Sequence, residues 1–356
     1  MNTPATELKA VLKKLSPVRA ENFHIGEHGV SAQDSDVWVV VDSPLSQLGS
    51  FTVVGKKLTQ VVNRMSGTVS LELADNQLTI KSAKAQIVLE AKPAKKASLP
   101  ATPEKTASLP TADFKKALAI AVASASPNKS AGFGGVVQFK TLPMGFEDET
   151  ANGYRLVGTD SKVLTVVDSP SAPLFEIATL VNLTACGVVQ IMETEAITYG
   201  EGATGPYFKS GNLTVFASKP NQQYPGIEPL LATPATVVFK FKPEEWLAAF
   251  RTVEPVIEED EGEAKVALHF SEGVVQFSSS GTGATARDES GYEQLDPDPL
   301  LEPKDMTLVV IADHLSGFLS KSVGEATLSF SQMDKPLTLE CGGTKVLTFC
   351  RKGSKK

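Results

Sequence analysis

One segment of the chain recurs within it. Asp34-Ser35-Asp36-Val37-Trp38-Val39-Val40-Val41-Asp42-Ser43-Pro44 matches Asp160-Ser161-Lys162-Val163-Leu164-Thr165-Val166-Val167-Asp168-Ser169-Pro170 at eight of eleven positions, at an offset of 126 residues. A shorter echo, Leu78-Thr79-Ile80, Leu213-Thr214-Val215 and Leu337-Thr338-Leu339, recurs at offsets of 135 and 124. Solenoid repeats run to ~20–50 residues, so a period near 125 makes each copy a whole domain with its own core. A chain of 356 residues then holds three such domains.

Most of the chain reads as short strands. Phe51–Val54, Thr68–Leu73, Leu78–Ser82 and Gln86–Ala91 alternate or run apolar between Gly, Asn and Asp breakers. Helix signals are few and come in three spaced pairs. Pro4–Leu15 has Thr3 in the N-cap position and Pro4 at the first helical one. Lys56–Met65 carries an apolar stripe of Leu58, Val61, Val62 and Met65. Asp113–Ala123 follows Thr111 as cap, and Val181–Met192 is apolar without a clear cap. Pro243–Val253 and Ala312–Ser322 complete the set. Two helices on antiparallel sheets, used three times, make an α+β chain. The Pro-, Lys- and Ala-rich stretch Lys92–Pro110, with ASLP twice, reads as a linker, and three prolines interrupt Gln222–Pro234. The expected domains are 1–95, 107–228 and 229–356, with 96–106 joining the first two.

Apolar residues at 42% suffice for ordinary cores, and no apolar run approaches the ~20 residues of a membrane helix. The N-terminus mixes charge into its apolar positions, unlike a signal peptide. Cys186, Cys341 and Cys350 are odd in number and far apart, which fits a reducing, cytoplasmic compartment rather than a disulfide framework. The net charge of −7 argues against a protein that coats nucleic acid with its whole surface, but it does not exclude positive charge gathered on one face.

Catalytic signatures are missing. His24, His28, His269 and His314 lack metal-ligand spacing, and NFHIGEHG reads as a turn between strands. GFGG at Gly132–Gly135 and GEGATG at Gly200–Gly205 lack the Lys and following helix of a phosphate loop, so they read as turns. The acidic run Glu258–Glu261 reads as a solvated loop. No enzyme activity, cofactor or metal is expected.

Three similar domains, each of two helices on sheets, resemble the bacterial DNA sliding clamp, the beta subunit of the replicative DNA polymerase III. Ser108-Leu109-Pro110 followed by Phe114-Lys115-Lys116-Ala117-Leu118 looks like the start of that family's middle domain. Tyr154–Val167 is similar to its most recognisable segment, a strand, Thr-Asp-Gly-His-Arg-Leu, and a strand. Thr159, Asp160 and Leu164 fit it, whereas Ser161, Lys162 and Val163 replace Gly-His-Arg. Ala217–Leu231 resembles the close of the middle domain through Ser218, Lys219, Tyr224 and Pro225. Domain one is more distant, and the chain ends FCRKGSKK instead of in a Met-Pro-Met-Arg-Leu-like tail. These departures suggest a divergent, phage or otherwise mobile replication system.

The resemblance implies a processivity factor. Two chains would close head-to-tail into a six-domain ring around duplex DNA and tether the replicative polymerase and clamp loader. Sequence-independent phosphate contacts would come from Lys9, Lys13, Lys14, Arg19, Lys56, Lys57, Arg64, Lys115, Lys116, Lys129, Arg251 and Lys321. Val181–Met192 has no basic residue, so that lining would be incomplete. A hydrophobic pocket for partner peptides, between domains two and three, would include Phe133, Thr159, Leu164, Pro225, Leu230, Leu347 and Phe349. The dimer would pair an edge strand carrying Ile87 and Leu89 with an edge near Val256. Two other readings compete. A β-rich phage structural or interaction protein would also be acidic and poor in catalytic motifs, but would not need basic helices at matching points of three repeats. A hydrolase would need an acid–base cluster that the chain does not display.

Overall fold

The computed structural model describes residues 1–94, 99–125, 134–143, 152–170, 178–260, 263–281, 284–295, 306–331, 336–349 and 351–352. The chain divides into two compact units. The first comprises Met1–Ala119, Phe139–Tyr154 and Pro170–Asn221; the second comprises Ile120–Gln138, Arg155–Ser169 and Gln222–Lys356.

In the first unit α1 (Ala5–Leu15) and α2 (Gly55–Arg64) pack together, each laying one stripe on the core. α1 buries Ala5, Leu8, Val11, Leu12 and Leu15; α2 buries Gly55, Leu58 and Val62. Pro4, rather than Thr3, occupies the N-cap of α1, and the Thr3 hydroxyl instead donates to Glu7 Oε2 at 2.9 Å. α3 (Thr111–Ala123) begins at Thr111 itself, whose buried hydroxyl finds no partner among the described residues, so Thr111 does not cap it. α4 (Leu183–Gln190) does have a cap, which the apolar pattern hid: Asn182 Oδ1 accepts the Ala185 amide at 2.8 Å.

α1, α2 and α4 sit on a long antiparallel sheet. Its order, by residue ranges, is 2–4, 68–74, 77–82, 85–93, 51–54, 22–26, 29–33, 37–41, 213–217, 205–210, 196–202 and 106–110. NFHIGEHG forms the turn of the hairpin 22–26/29–33, and Gly200–Gly205 that of 196–202/205–210, both as the sequence led us to expect. The linker expected around 96–106 runs directly into the edge strand 106–110, which pairs with 196–200.

The second unit holds α5 (Glu228–Leu231), a short helix not foreseen, with α6 (Pro243–Val253) and α7 (Ala312–Leu319). α6 matches the sequence reading end to end, and α7 stops three residues short of Ser322. Trp246 on α6 is fully buried, stacks on Phe241 with centroids 3.8 Å apart, and donates its indole N–H to Gly291 O at 3.1 Å. Around it pack Phe239, Phe270 and Phe277, the anchors of a core that a single truncation would leave with a large cavity. One sheet of this unit runs 163–169, 344–349, 336–341, 326–330, 237–241 and 293–295; another runs 284–291, 274–281, 263–271, 306–311 and 351–352.

The long sequence echo has a structural counterpart. Asp34 Oδ1 accepts the amides of Asp36 and Val37 at 2.8 and 2.7 Å, and Asp160 Oδ1 accepts those of Lys162 and Val163 at 2.8 Å each. Each aspartate turn opens a strand that pairs antiparallel with the last strand of a three-strand meander, Leu213–Ala217 in one unit and Thr344–Phe349 in the other. Toward the far ends of those strands, the Asp42 amide donates to Asn212 O and the Asp168 amide to Gly343 O, both at 2.8 Å. The three-residue echo does not survive. Leu78–Ile80 and Leu337–Leu339 lie on middle strands of their meanders, but Leu213–Val215 lies on a third strand. Alternation with period two looks alike on every strand, and three residues do not separate neighbours.

Candidate functional site

The sequence-predicted pocket residues that the structure describes fall within the second unit, and an apolar cluster joins two of them. The strands 163–169 and 344–349 place Leu164 opposite Leu347. Both are buried and pack with Val157, Val166 and Ile227, while Tyr224 and Leu231 lie partly buried against them. Tyr224 ties the following segment down: its hydroxyl donates to Val157 O at 2.9 Å, and burial pushes its pKa above the ordinary tyrosine value. Past that clasp, Pro225 is exposed and α5 carries Leu230, 41% exposed. The arrangement is a packed apolar floor with an exposed leucine on a short helix beside it, able to desolvate an apolar side chain of a peptide.

Thr159 braces the turn that precedes Leu164. Its buried hydroxyl donates to Val163 O and accepts the Ser161 amide at 3.2 Å, and so closes the turn. Phe349 ends the strand 344–349, in register with Pro336, and Phe133 lies outside the described residues. The structure adds Tyr224, Ile227 and Leu231, which the sequence reading did not include. The aromatic-Pro pair Tyr224-Pro225 was the available signal, and its aromatic half proves to be the clasp.

Two polar pairs brace this region. Arg155 grips Asp168 with two bonds of 2.7 Å across the hairpin, and that hydrogen bonding raises the guanidinium pKa against the opposing effect of its burial. His314 on α7 bonds Thr348 through Nδ1 at 3.2 Å and holds Nε2 3.9 Å from Asp160 Oδ2.

Most of the basic residues read from the sequence stand on exposed faces. Lys13 at the end of α1, Arg19 after it, and Lys56, Lys57 and Arg64 on α2 are all exposed. Lys9 and Lys14 are half-buried, and Lys14 Nζ donates to Asn212 Oδ1 at 2.7 Å. On α3, Lys116 is exposed, but Lys115 is drawn inward and donates to Met192 O at 2.8 Å, capping the chain after α4. That bond gives Lys115 a structural duty. Arg251 and Lys321 are exposed on the second unit; Lys129 lies outside the described residues.

The expected dimer strand Ala85–Pro93 pairs with 77–82 along Ala85–Glu90, whereas among the described residues only Ala91–Pro93 pairs with 51–53 on its other side. Ile87 and Leu89 are half-buried on the inward face, and Val88 between them is 46% exposed. Val256 lies in a single 3-10 turn, Glu254–Val256, and not on a strand: Pro255 within it carries no N–H for a ladder. Among the described residues, no three His, Cys, Asp or Glu side chains cluster as a metal site, and no helix is long and apolar enough to cross a membrane.

No protein-family model matches the chain, and no curated protein matches it by sequence. Solved structures do. The DNA polymerase III subunit beta from Pseudomonas aeruginosa superposes with a TM-score of 0.82 at 13% identity, over 99% of each chain. A sliding clamp from Bartonella birtlesii bound to griselimycin gives 0.84 at 15% identity, again over 99% of both. The Caulobacter crescentus polymerase III beta gives 0.81 at 15%, with the same coverage. From end to end, and with little of their sequence, this chain has the fold of the bacterial polymerase III beta sliding clamps.

Proposed function

We propose that the protein is a divergent sliding clamp, a processivity factor that encircles duplex DNA as a head-to-tail homodimer of three-domain chains. The observation that carries this reading is the fold likeness over the full length of chains whose known members are polymerase III clamps. The domains would be 1–95, 107–228 and 229–356, each with one of the paired helices α1/α2, α3/α4 and α6/α7 facing the DNA. Such a protein performs no covalent chemistry. Its tether is topological, so each phosphate interaction can be weak, and long-range attraction by Lys13, Lys56, Lys57, Arg64, Lys116 and Arg251 suffices without base readout. The net negative charge of the chain is compatible with this role, because exposed positive side chains stand on α1 and α2 and net charge does not fix their distribution.

The tethering surface would be the apolar cluster around Leu164 and Leu347 with Pro225 and Leu230, taking Leu or Phe anchors of a polymerase or clamp-loader peptide. Closure would pair the free side of Ala85–Glu90 with domain three of the partner chain, since a half-open apolar edge is an aggregation hazard when left uncovered. Light scattering tests the assembly: the reading requires twice the 37.8 kDa of one chain at micromolar concentration. A monomer or a trimer would contradict it.

A further inference from the structure

The segment that carries Leu230 hangs on one strand, Asn152–Thr159. Val157 holds it twice: its side chain packs with buried Ile227, and its carbonyl accepts the Tyr224 hydroxyl at 2.9 Å. Ile227 O in turn accepts the Leu230 and Leu231 amides at 3.0 and 3.1 Å, so α5 starts from an anchored residue. The helix itself has little to keep it there. It has four residues, none of them buried, and helices shorter than ~12–15 residues are marginal without an outside hold. Pro225 and Gly226, between the two anchored residues, are exposed, and a Cβ at Gly226 would meet nothing within 4 Å.

Arg155 supplies a hold from below. It lies two residues before Val157 on the same strand, and period two puts both side chains on one face. The guanidinium is mostly buried and bonds both Asp168 oxygens, through Nε and Nη2, at 2.7 Å, which fixes its plane across the hairpin. Asp168 takes two of its five N–H donors. The carboxylate of Glu228, the first residue of α5, adds its attraction to that of Asp168 on the same guanidinium. Leu230 stands two residues further along that helix.

We propose that Arg155 is a positioning residue of the tethering surface: braced by Asp168, it draws Glu228 toward the strand and so sets Leu230 beside the Leu164–Leu347 floor. Its function rests on the tethering reading of that floor; its hold on α5 stands without it. A peptide then meets Leu230 already in place, and the cost of ordering α5 does not fall on binding.

The first measurement needs no ligand. Hydrogen exchange in the full chain reads the Leu230, Leu231 and Ala232 amides, whose acceptors are Ile227 O and Glu228 O. In Glu228→Gln they should exchange about threefold faster, the size of one exposed ion pair. Glu228 is exposed, so the melting temperature should stay near that of the parent. The second measurement is calorimetry with a blocked, uncharged peptide, Ser-Leu-Ser-Leu-Phe, whose affinity should fall by about the same factor in Glu228→Gln. Raising salt to about 1 M should close that gap by screening the exposed carboxylate, whereas a loss of packing would persist. Arg155→Gln with Asp168→Asn removes the inner charges without stranding either. On that background Glu228→Gln should change neither exchange nor affinity, and Glu228→Gln alone decides if the neutral pair folds poorly. Unchanged exchange in Glu228→Gln overturns the inference, as does an affinity that ignores Glu228→Gln while Leu230→Ala lowers it. So does a full further loss on the neutral background, which would mean that Glu228 touches the peptide itself. If exchange responds but the parent binds no peptide, or binds it no better than Leu230→Ala, the tethering reading fails and the positioning of α5 stands.

Discussion

Ser161 holds φ at 78°, a left-handed conformation that glycine adopts freely and a side chain with a Cβ does not. Thr159 and Asp160 over-determine the turn: both side chains bond its amides and, through Thr159, the Val163 carbonyl. Ser161→Val, β-branched, should therefore lower stability by about 1–2 kcal/mol, and Ser161→Gly should not lower it, in paired thermal melts. Seven residues on, Asp168 neutralises Arg155, with both side chains mostly buried. Asp168→Ala strands the guanidinium, so chemical denaturation should show a loss of about 2 kcal/mol. Leu230 differs in kind, because it is 41% exposed and supports little of the core. Leu230→Ala should leave the melting temperature near that of the parent while weakening a bound polymerase peptide by about 2 kcal/mol in calorimetry. Leu164→Ala is the poorer probe, for its side chain is part of the floor and its truncation would cost stability too.

Among the elements, α1 and α2 present the densest positive surface. Changing Lys13, Lys56 and Lys57 together to Glu should leave circular dichroism unchanged, because all three are exposed and none is in the buried stripe of its helix. Affinity for duplex DNA should fall, and the plot of log affinity against log salt should flatten by roughly 0.9 for each phosphate that is no longer neutralised. An unchanged slope would assign these lysines to solvation alone. Lys115 should not join such a set, since its replacement would remove the bond to Met192 O along with the charge.

The helices were the most readable elements in the sequence, because proline starts and apolar stripes of period 3.6 mark them locally. Pro243–Val253 was legible end to end for that reason. Caps were less readable. Asn182 stands before an apolar run whose periodicity does not point to it, and Thr3 has the right chemistry one residue too early. Strand order was not readable from three-residue echoes, while the eleven-residue match carried a turn whose hydrogen bonds recur in both copies. In the groove, Leu164 and Leu347 came from the resemblance, as did Thr159, whose hydroxyl bond to the Val163 carbonyl is not legible in the sequence because a buried hydroxyl can serve the backbone as readily as a ligand.

At the scale of the whole molecule, the half-open strand Ala85–Glu90 is the element that a ring would cover. Val88, exposed between the inward Ile87 and Leu89, should tolerate Lys in the isolated chain and oppose it in a closed edge-to-edge pair. Val88→Lys is therefore expected to shift the mass in light scattering toward the monomer, with helix and sheet content retained.

Encirclement itself is tested most directly by topology. The protein is assembled on nicked circular duplex with a clamp loader and ATP, separated from free protein by gel filtration at high salt, and followed after one restriction cut. A ring held by topology should stay on the circle in salt that strips electrostatic binders, and leave within minutes once the DNA has ends. Retention that is equal on circular and linear DNA, or binding that disappears from both as salt rises, would contradict the sliding clamp.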